Sequence, residues 1–458
     1  MGRSTEVDRA IALIVRVISA CAGWACVLPG IDCARYQPGQ KLKVLLAGYN
    51  GARNTGSDVR VAALADQIIA ALGRDNVEVS VMSLDCESTA PYFEGKVGQV
   101  PFSTLFFGAL FKACSEHHVI VLCEGSTFKS KFADALTLYS CEAAGVARAQ
   151  GKPCVAYGGE VGEMTPFLER AVRDLCRDTL FIARSGESFD AARRLGLNAR
   201  KGTDTAWTFD SARGREKATE LLRANGWDGA RPLLGIAPVN PYWWLVRPSI
   251  VKWLCRTLCN VPFLQFQKWY FFSWSVERDA LYRSYLDDLA AACATFARER
   301  GFQPVIVGME QLDEDACVEL AERLATRFGM QAPIVLSRDY DGYVIGEALR
   351  SLSLLVTSRY HAQVLAMGAD VPAVAVSMDE RLDNLAQEFD LPSNLLMHVG
   401  DADLAARVLL GLDFAWDCKS ELAASISAGR AVMESRLGDM AGWFAETVDQ
   451  CVIRVRPQ

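Results

Sequence analysis

Val356-Thr-Ser-Arg359-Tyr-His361-Ala-Gln-Val-Leu-Ala-Met-Gly368 carries a strand end, a polar turn and a helix in immediate succession. The apolar run Leu352 to Val356 has the length and composition of a buried strand. Ala362, Leu365 and Ala366 begin a helical spacing straight after the turn. A strand passing directly into a helix is the repeating half of a parallel α/β sheet. Its turn lies at the carboxyl end of the strand, where open α/β sheets bind ligands. Here the turn presents Arg359, whose guanidinium keeps its charge, and His361, whose imidazole titrates near neutrality, beside helix N–H groups that favour an anion. Of the histidines (His117, His118, His361, His398), His361 is the one placed at a strand-to-helix switch.

The same grammar organises the rest of the chain. Leu42 to Ala47 reads as a strand and leads into the loop Gly48-Tyr-Asn-Gly51-Ala-Arg53-Asn54-Thr-Gly56-Ser-Asp58. Apolar residues at Val61, Leu64, Ala65, Ile68, Ile69 and Leu72 then mark one buried helix face, ending at Gly73. The glycine spacing is neither G-x-G-x-x-G nor a Walker loop, so it permits close backbone approach to a ligand without specifying a nucleotide. Strands are expected again at 77–84, 119–123, 154–157 and 179–183. The second of these ends in Glu124-Gly125-Ser126-Thr127 and the third in Gly158-Gly159-Glu160. The fourth ends in Ala183-Arg184-Ser185, where a cation again stands at a strand-to-helix switch. A second series follows at 233–237, 304–308, 333–336, 352–356 and 373–377. The expected fold is α/β, with two Rossmann-like doubly wound domains facing a cleft. The expected domains are 41–210 and 231–400, with a linker at 211–230. An amphipathic extension, 1–40, precedes them, and helices over 401–458 cross back to brace the first domain. A cleft between the two sheets would bring Arg184 and Arg359 together.

At 458 residues the chain exceeds one ordinary core. It is 51% hydrophobic and 22% charged, which excludes a disordered chain, and its net charge of −7 offers no basic footprint for nucleic acid. The 15 cysteines form no C-x-x-C and have no histidine pair to complete a zinc site, so most are expected to be buried thiols in a reducing cytosol, with no metal. The apolar run 10–28 is broken by Arg16 and is too short for a membrane span. It reads as an amphipathic helix, packed on the protein or lying on a membrane surface. One stretch breaks the rhythm. Within 241–276, Trp243, Trp244, Trp253, Phe263, Phe266 and Trp269 are interleaved with Arg247, Lys252, Arg256 and Lys268. This mixture suits a bilayer interface, a sugar platform or an aromatic subdomain core, and it reads as an insertion serving as lid, membrane contact or core.

Taken in order, Gly48-Tyr49 to Gly56, Gly125-Ser126, Gly158-Gly159, Arg184 with Ser188, Asp204, Arg359-x-His361-Ala and Ser377-Met378-Asp379-Glu380-Arg381 resemble the polysaccharide pyruvyl transferase family. The resemblance implies a GT-B-like fold and transfer of the enolpyruvyl unit of phosphoenolpyruvate to two sugar hydroxyls, giving a cyclic ketal and phosphate. It implies catalytic roles for His361, Arg359 and Arg184. It implies substrate binding by Arg381, Gly48, Asn54, Gly56, Gly125, Ser126, Gly158, Gly159 and Glu160, with no metal and no cofactor beyond the donor substrate. The acceptor is expected to be a surface glycan or its lipid-linked precursor, handled in the cytoplasm at the inner face of the membrane through a peripheral contact. Elementary chemistry agrees with the resemblance. A phosphate and a carboxylate call for several guanidiniums, and protonating an enol carbon calls for a positioned acid or base.

Some positions depart from the family pattern. Glu124 replaces one glycine of a triplet, Tyr360 replaces a leucine, Arg381 stands where lysine is common, and a spacer separates Gly56 from Asp58. Two alternatives stay open on the same fold: a glycosyltransferase using a nucleotide sugar, and a catalytically silent scaffold of glycan synthesis.

Overall fold

The computed structural model describes residues 5–26, 33–93, 95–103, 105–131, 133–244, 246–259 and 270–454. Parts of the extension 1–40, the residues Phe263, Phe266, Lys268 and Trp269 of the aromatic stretch, and the chain end 455–458 lie outside the described residues.

Two parallel sheets form the framework. The first contains β1 (Leu42–Asn50), β2 (Val77–Ser83), β3 (Gly98–Pro101), β4 (Val119–Leu122), β5 (Cys154–Gly159), β6 (Leu180–Ala183) and β7 (Asn198–Lys201), in the order β3-β2-β1-β4-β5-β6-β7. After β8 (Leu233–Ala237), a small hairpin pairs β9 (Arg247–Pro248) with β10 (Tyr270–Phe271). The second sheet joins β8 to β11 (Gln303–Gly308), β12 (Ile334–Leu336), β13 (Leu354–Thr357), β14 (Ala373–Ser377) and β15 (Leu396–His398), in the order β12-β11-β8-β13-β14-β15. Strands β4, β5, β8 and β13 are buried along their whole length, as the apolar runs of a sheet covered on both faces require. Strand order reverses between β1 and β4, where Val44 lies opposite Val119, and between β8 and β13, where Leu234 lies opposite Leu354. These reversals open the two crevices in which ligands of such sheets bind.

The helix Glu6–Ala25 begins with a capping box between Thr5 and Asp8 and lies on the helix Asp134–Ala149. Small residues allow the close approach. A Cβ added at Gly145 would come within 2.2 Å of Ser19 Oγ. At the other end, the helix Lys419–Arg454 returns to the first unit. Met440 Sδ accepts from Thr203 N at 3.2 Å, and Phe444 meets the Tyr157 ring edge-on at 6.1 Å.

The segment 211–230 joins the two sheets and carries a packed helix. Its helix Arg215–Ala224 packs on the helix Gly342–Arg350, with Ala218 and Leu222 buried, and Ser211 Oγ donates to Glu347 Oε1 at 2.6 Å. The charged residues form its outer face, which is why composition alone reads as a linker. Among the described residues, no helix is long and apolar enough to cross a membrane.

Candidate active site

The loops at the two crevices meet each other. Thr55 N donates to Met309 O at 2.8 Å, Gln311 N donates to Arg53 O at 3.1 Å, and Asn54 forms an isolated bridge with Glu310. Asn54 also caps the helix Thr55–Leu72 by accepting from Ser57 N at 3.2 Å. Between the sheets lies a cavity of about 200 Å³. Its polar end is built from Asn54, Gly56, Ser57, Arg60, Glu124, Gly125, Ser126 and Arg184 of the first unit. Glu310, Arg359, His361 and Arg381 come from the second. Phe102, Phe106, Tyr139 and Trp244 form its apolar wall.

Asp204 is the hub of the polar end. It is fully buried, and its Oδ1 accepts from Arg60 Nε at 3.0 Å. Its Oδ2 accepts from Arg184 Nη1 at 3.3 Å and lies 3.5 Å from His361 Nε2, at the outer limit of a hydrogen bond. Burial alone would raise this carboxyl, but Arg60, His361 and Arg184 hold it well below the usual carboxylate range. Arg60 is fixed further by the carbonyls of Cys123 (3.0 Å) and Gly158 (2.7 Å). Arg184 also donates to Glu160, which accepts from Lys129 Nζ at 3.0 Å, and its guanidinium stands 4.7 Å from the centre of the Tyr360 ring. For His361, burial pushes the imidazole down to about 4, against the opposing pull of Asp204. The ring is therefore neutral near pH 7.

The second sheet supplies its arginines in the same manner. Thr357 Oγ1 accepts from Arg359 N at 2.8 Å, holding the tight turn between β13 and the helix Tyr360–Met367. The Arg359 side chain turns back to the buried Asp313, with Nε at 3.1 Å, and to Glu310 at 3.1 Å. Arg381 grips Asp379 through two nitrogens, at 2.9 and 2.8 Å. Each guanidinium is thus oriented by carboxylates behind it. A guanidinium carries five N–H donors, so one held this way can still turn donors towards a ligand.

A family profile for polysaccharide pyruvyl transferases matches residues 54–380, more than half of the chain. The chain belongs to the polysaccharide pyruvyl transferase family. No curated protein matches it in sequence. Solved structures resemble it in fold. An Anabaena protein, HepE, in complex with UDP and glucose has a TM-score of 0.51 at 14% identity, over 89% of this chain and 99% of that one. The UDP-GlcNAc 2-epimerase of Neisseria meningitidis, bound to UDP-GlcNAc, has a TM-score of 0.56 at 10% identity, over 89% and 100%. A glycosyltransferase from Rickettsia africae has a TM-score of 0.53 at 10% identity, over 90% and 99%. The two facing Rossmann-like domains are a GT-B-like fold.

Within this member of the pyruvyl transferase family, Arg184, Arg359, His361, Arg381, Asn54, Gly56, Gly125 and Ser126 line one cavity. Gly48, Gly158, Gly159 and Glu160 are not among its lining residues. The reason is steric. A Cβ at Gly48 would lie 2.6 Å from Cys123 Sγ, and one at Gly159 would lie 2.5 Å from Thr127 Oγ1. Gly158, at φ +66°, presents its carbonyl to Arg60. Glu160 stands behind Arg184 and Lys129. These residues make room for, or anchor, the side chains that do face the cavity.

Arg60 was missed in the sequence, although a cation between Val59 and Val61 on a helix face full of apolar residues was a usable signal.

Gly56 joins the two domains at the site. A Cβ there would sit 2.1 Å from His361 Nδ1, so the imidazole occupies the place of the missing side chain. Gly56→Ala is expected to cost about 1–3 kcal/mol of stability, as is usual for overpacking a filled site. It should lower turnover by about 10²-fold, because the ring must move by an ångström or more. Thermal melting together with a turnover assay checks both halves of this expectation.

Proposed function

We propose that the cavity binds phosphoenolpyruvate through Arg184, Arg359 and Arg381 and transfers its pyruvyl unit to two hydroxyls of a saccharide. The observation that carries this reading is the convergence of guanidiniums from both sheets beside one neutral imidazole. Phosphate and carboxylate together need such a set, and the helix N-terminus at Tyr360 favours an anion as well.

The reaction balances without an external reagent. One acceptor hydroxyl proton ends on C3 of the enol, turning CH2 into CH3, and the other ends on the departing phosphate. C2 gains two C–O bonds to the sugar and loses the bond to the phosphate oxygen. Neutral His361 suits acceptance of a hydroxyl proton. Glu124 suits the opposite task at C3. It faces the cavity, and burial raises its carboxyl despite Arg60 beside it. The arginines stabilise the leaving phosphate.

Donor binding tests the reading without an acceptor. Phosphoenolpyruvate at ~100 times its dissociation constant should stabilise the protein by roughly 2.7 kcal/mol, and Arg359→Ala should abolish that shift. Stabilisation by nucleotide sugars alone would move the assignment to a glycosyltransferase.

A further inference from the structure

The helix Ile250–Leu258 faces the wrong way for a helix on a water-soluble surface. None of its residues is buried. Ile250, Val251, Leu254 and Leu258 are 54%, 70%, 45% and 83% exposed. At about 100° per residue they fall on one arc of the helix. Lys252 and Arg256 lie outside that arc and stand over the Phe271 ring at 5.5 and 5.2 Å. A surface helix ordinarily turns its apolar arc inward and its cations outward. Here the apolar arc is presented to the exterior, and Trp274, 72% exposed, stands with Lys252 and Arg256 on the other side of the helix.

The patch is connected to the active cavity. Phe272 stacks on Trp243 at 4.4 Å and meets Trp244 edge-on at 5.7 Å, and Trp244 lines the cavity. Phe272 also lines a second cavity, of about 360 Å³, together with Lys252, Arg256, Phe271 and Trp274.

We propose that this helix docks the protein on an anionic lipid bilayer, with Ile250, Val251, Leu254 and Leu258 among the acyl chains and the exposed Arg247 and Lys252 at the headgroup phosphates. Two features select a bilayer over a second copy of the chain. The exposed cations Arg247 and Lys252 stand in the same small subdomain as the apolar arc, and the net charge of −7 makes them a local exception. Docking here places the rim of the active cavity beside the membrane, within reach of a saccharide carried on a lipid.

The test uses the full chain and no substrate, so its outcome is separate from that of the pyruvyl-transfer reading. Sedimentation is compared with vesicles of phosphatidylcholine alone and of phosphatidylcholine mixed with phosphatidylglycerol. The protein should bind the anionic vesicles and be released by salt. The double variant Leu254→Glu/Leu258→Glu should lose at least tenfold in binding, while its circular dichroism and melting stay unchanged because both side chains are exposed. Absence of binding to either vesicle, or equal binding by the variant, would overturn the proposal. A dimer in size-exclusion chromatography that the variant converts to a monomer, without vesicle binding by either protein, would assign the patch to a second copy and overturn it as well.

Discussion

Asp204→Asn is expected to destabilise the protein by about 3–5 kcal/mol, because it leaves two buried guanidiniums facing a neutral amide. Arg60 and Arg184 are both buried, and Asp204 is the carboxylate they share. Arg184 keeps its ion pair with Glu160, whereas Arg60 keeps the carbonyls of Cys123 and Gly158 and the neighbouring carboxyl of Glu124 without a direct ion pair among the described residues. The loss should therefore be concentrated on the helix Thr55–Leu72, which carries Arg60. The pH dependence has a definite sign. The folded carboxyl titrates below its unfolded value of about 3.9, so its contribution is fully present above that value and is lost as pH falls towards the folded value. Urea denaturation between pH 3 and 7 measures this. The wild-type protein should lose stability below about pH 4, and Asp204→Asn should show a smaller loss there. A variant as stable as wild type at pH 7 would mean that the arginines do not depend on this carboxylate.

His361→Asn is expected to reduce turnover by about 10²–10⁴-fold, the usual contribution of a positioned acid or base, with donor-induced stabilisation retained. Asparagine keeps a polar atom near the Nδ1 position but lacks the far side of the ring with Nε2, and it cannot take up the proton. Because burial pushes the imidazole down to about 4, the base form predominates at pH 7. For this group, kcat/KM should be level above about pH 5 and should fall as pH drops through about 4. An acid limb near the unperturbed histidine value of about 6.5 would show that the ring is solvated in the working enzyme. The same depressed value affects stability. The unfolded ring takes up a proton below about 6.5 and the folded ring does so only near 4, so folding weakens as pH falls through that interval.

The elements legible in the sequence are those encoded by contiguous residues. The runs at Leu42, Val119, Cys154, Leu233 and Leu354 are long and apolar enough to be buried on both faces, and all but the one at Leu233 lead on to a helical spacing. Periodicity of this kind requires no knowledge of the partner strand. Strands β3 and β15 gave no comparable signal. Gly98–Pro101 has no buried residue and Leu396–His398 has one, and both lie at sheet edges, so pairing with a neighbour rather than composition makes them strands. The turn at Arg359 and His361 was visible because a cation and an imidazole are unusual between an apolar strand and an apolar helix. Arg60 was marked only by its apolar flanks, and Lys129 was not marked at all. Their charges are compensated by Asp204 and Glu160, which lie far away in the chain.

The sequence by itself determined that the chain is a doubly wound α/β protein of the pyruvyl transferase family, with Arg184 and Arg359 at strand-to-helix switches. Hydrophobic period and turn chemistry are properties of neighbouring residues, so they survive in one dimension. Only the tertiary structure decided which side chains face the cavity. It assigned Gly56 to the space occupied by the His361 ring, made Asp204 the common partner of three groups, and withdrew Gly48, Gly158, Gly159 and Glu160 behind them. Those outcomes depend on the docking of two sheets whose strands are separated by long stretches of chain. Close packing between them leaves one place for each side chain, and nothing in the local sequence of either partner specifies it.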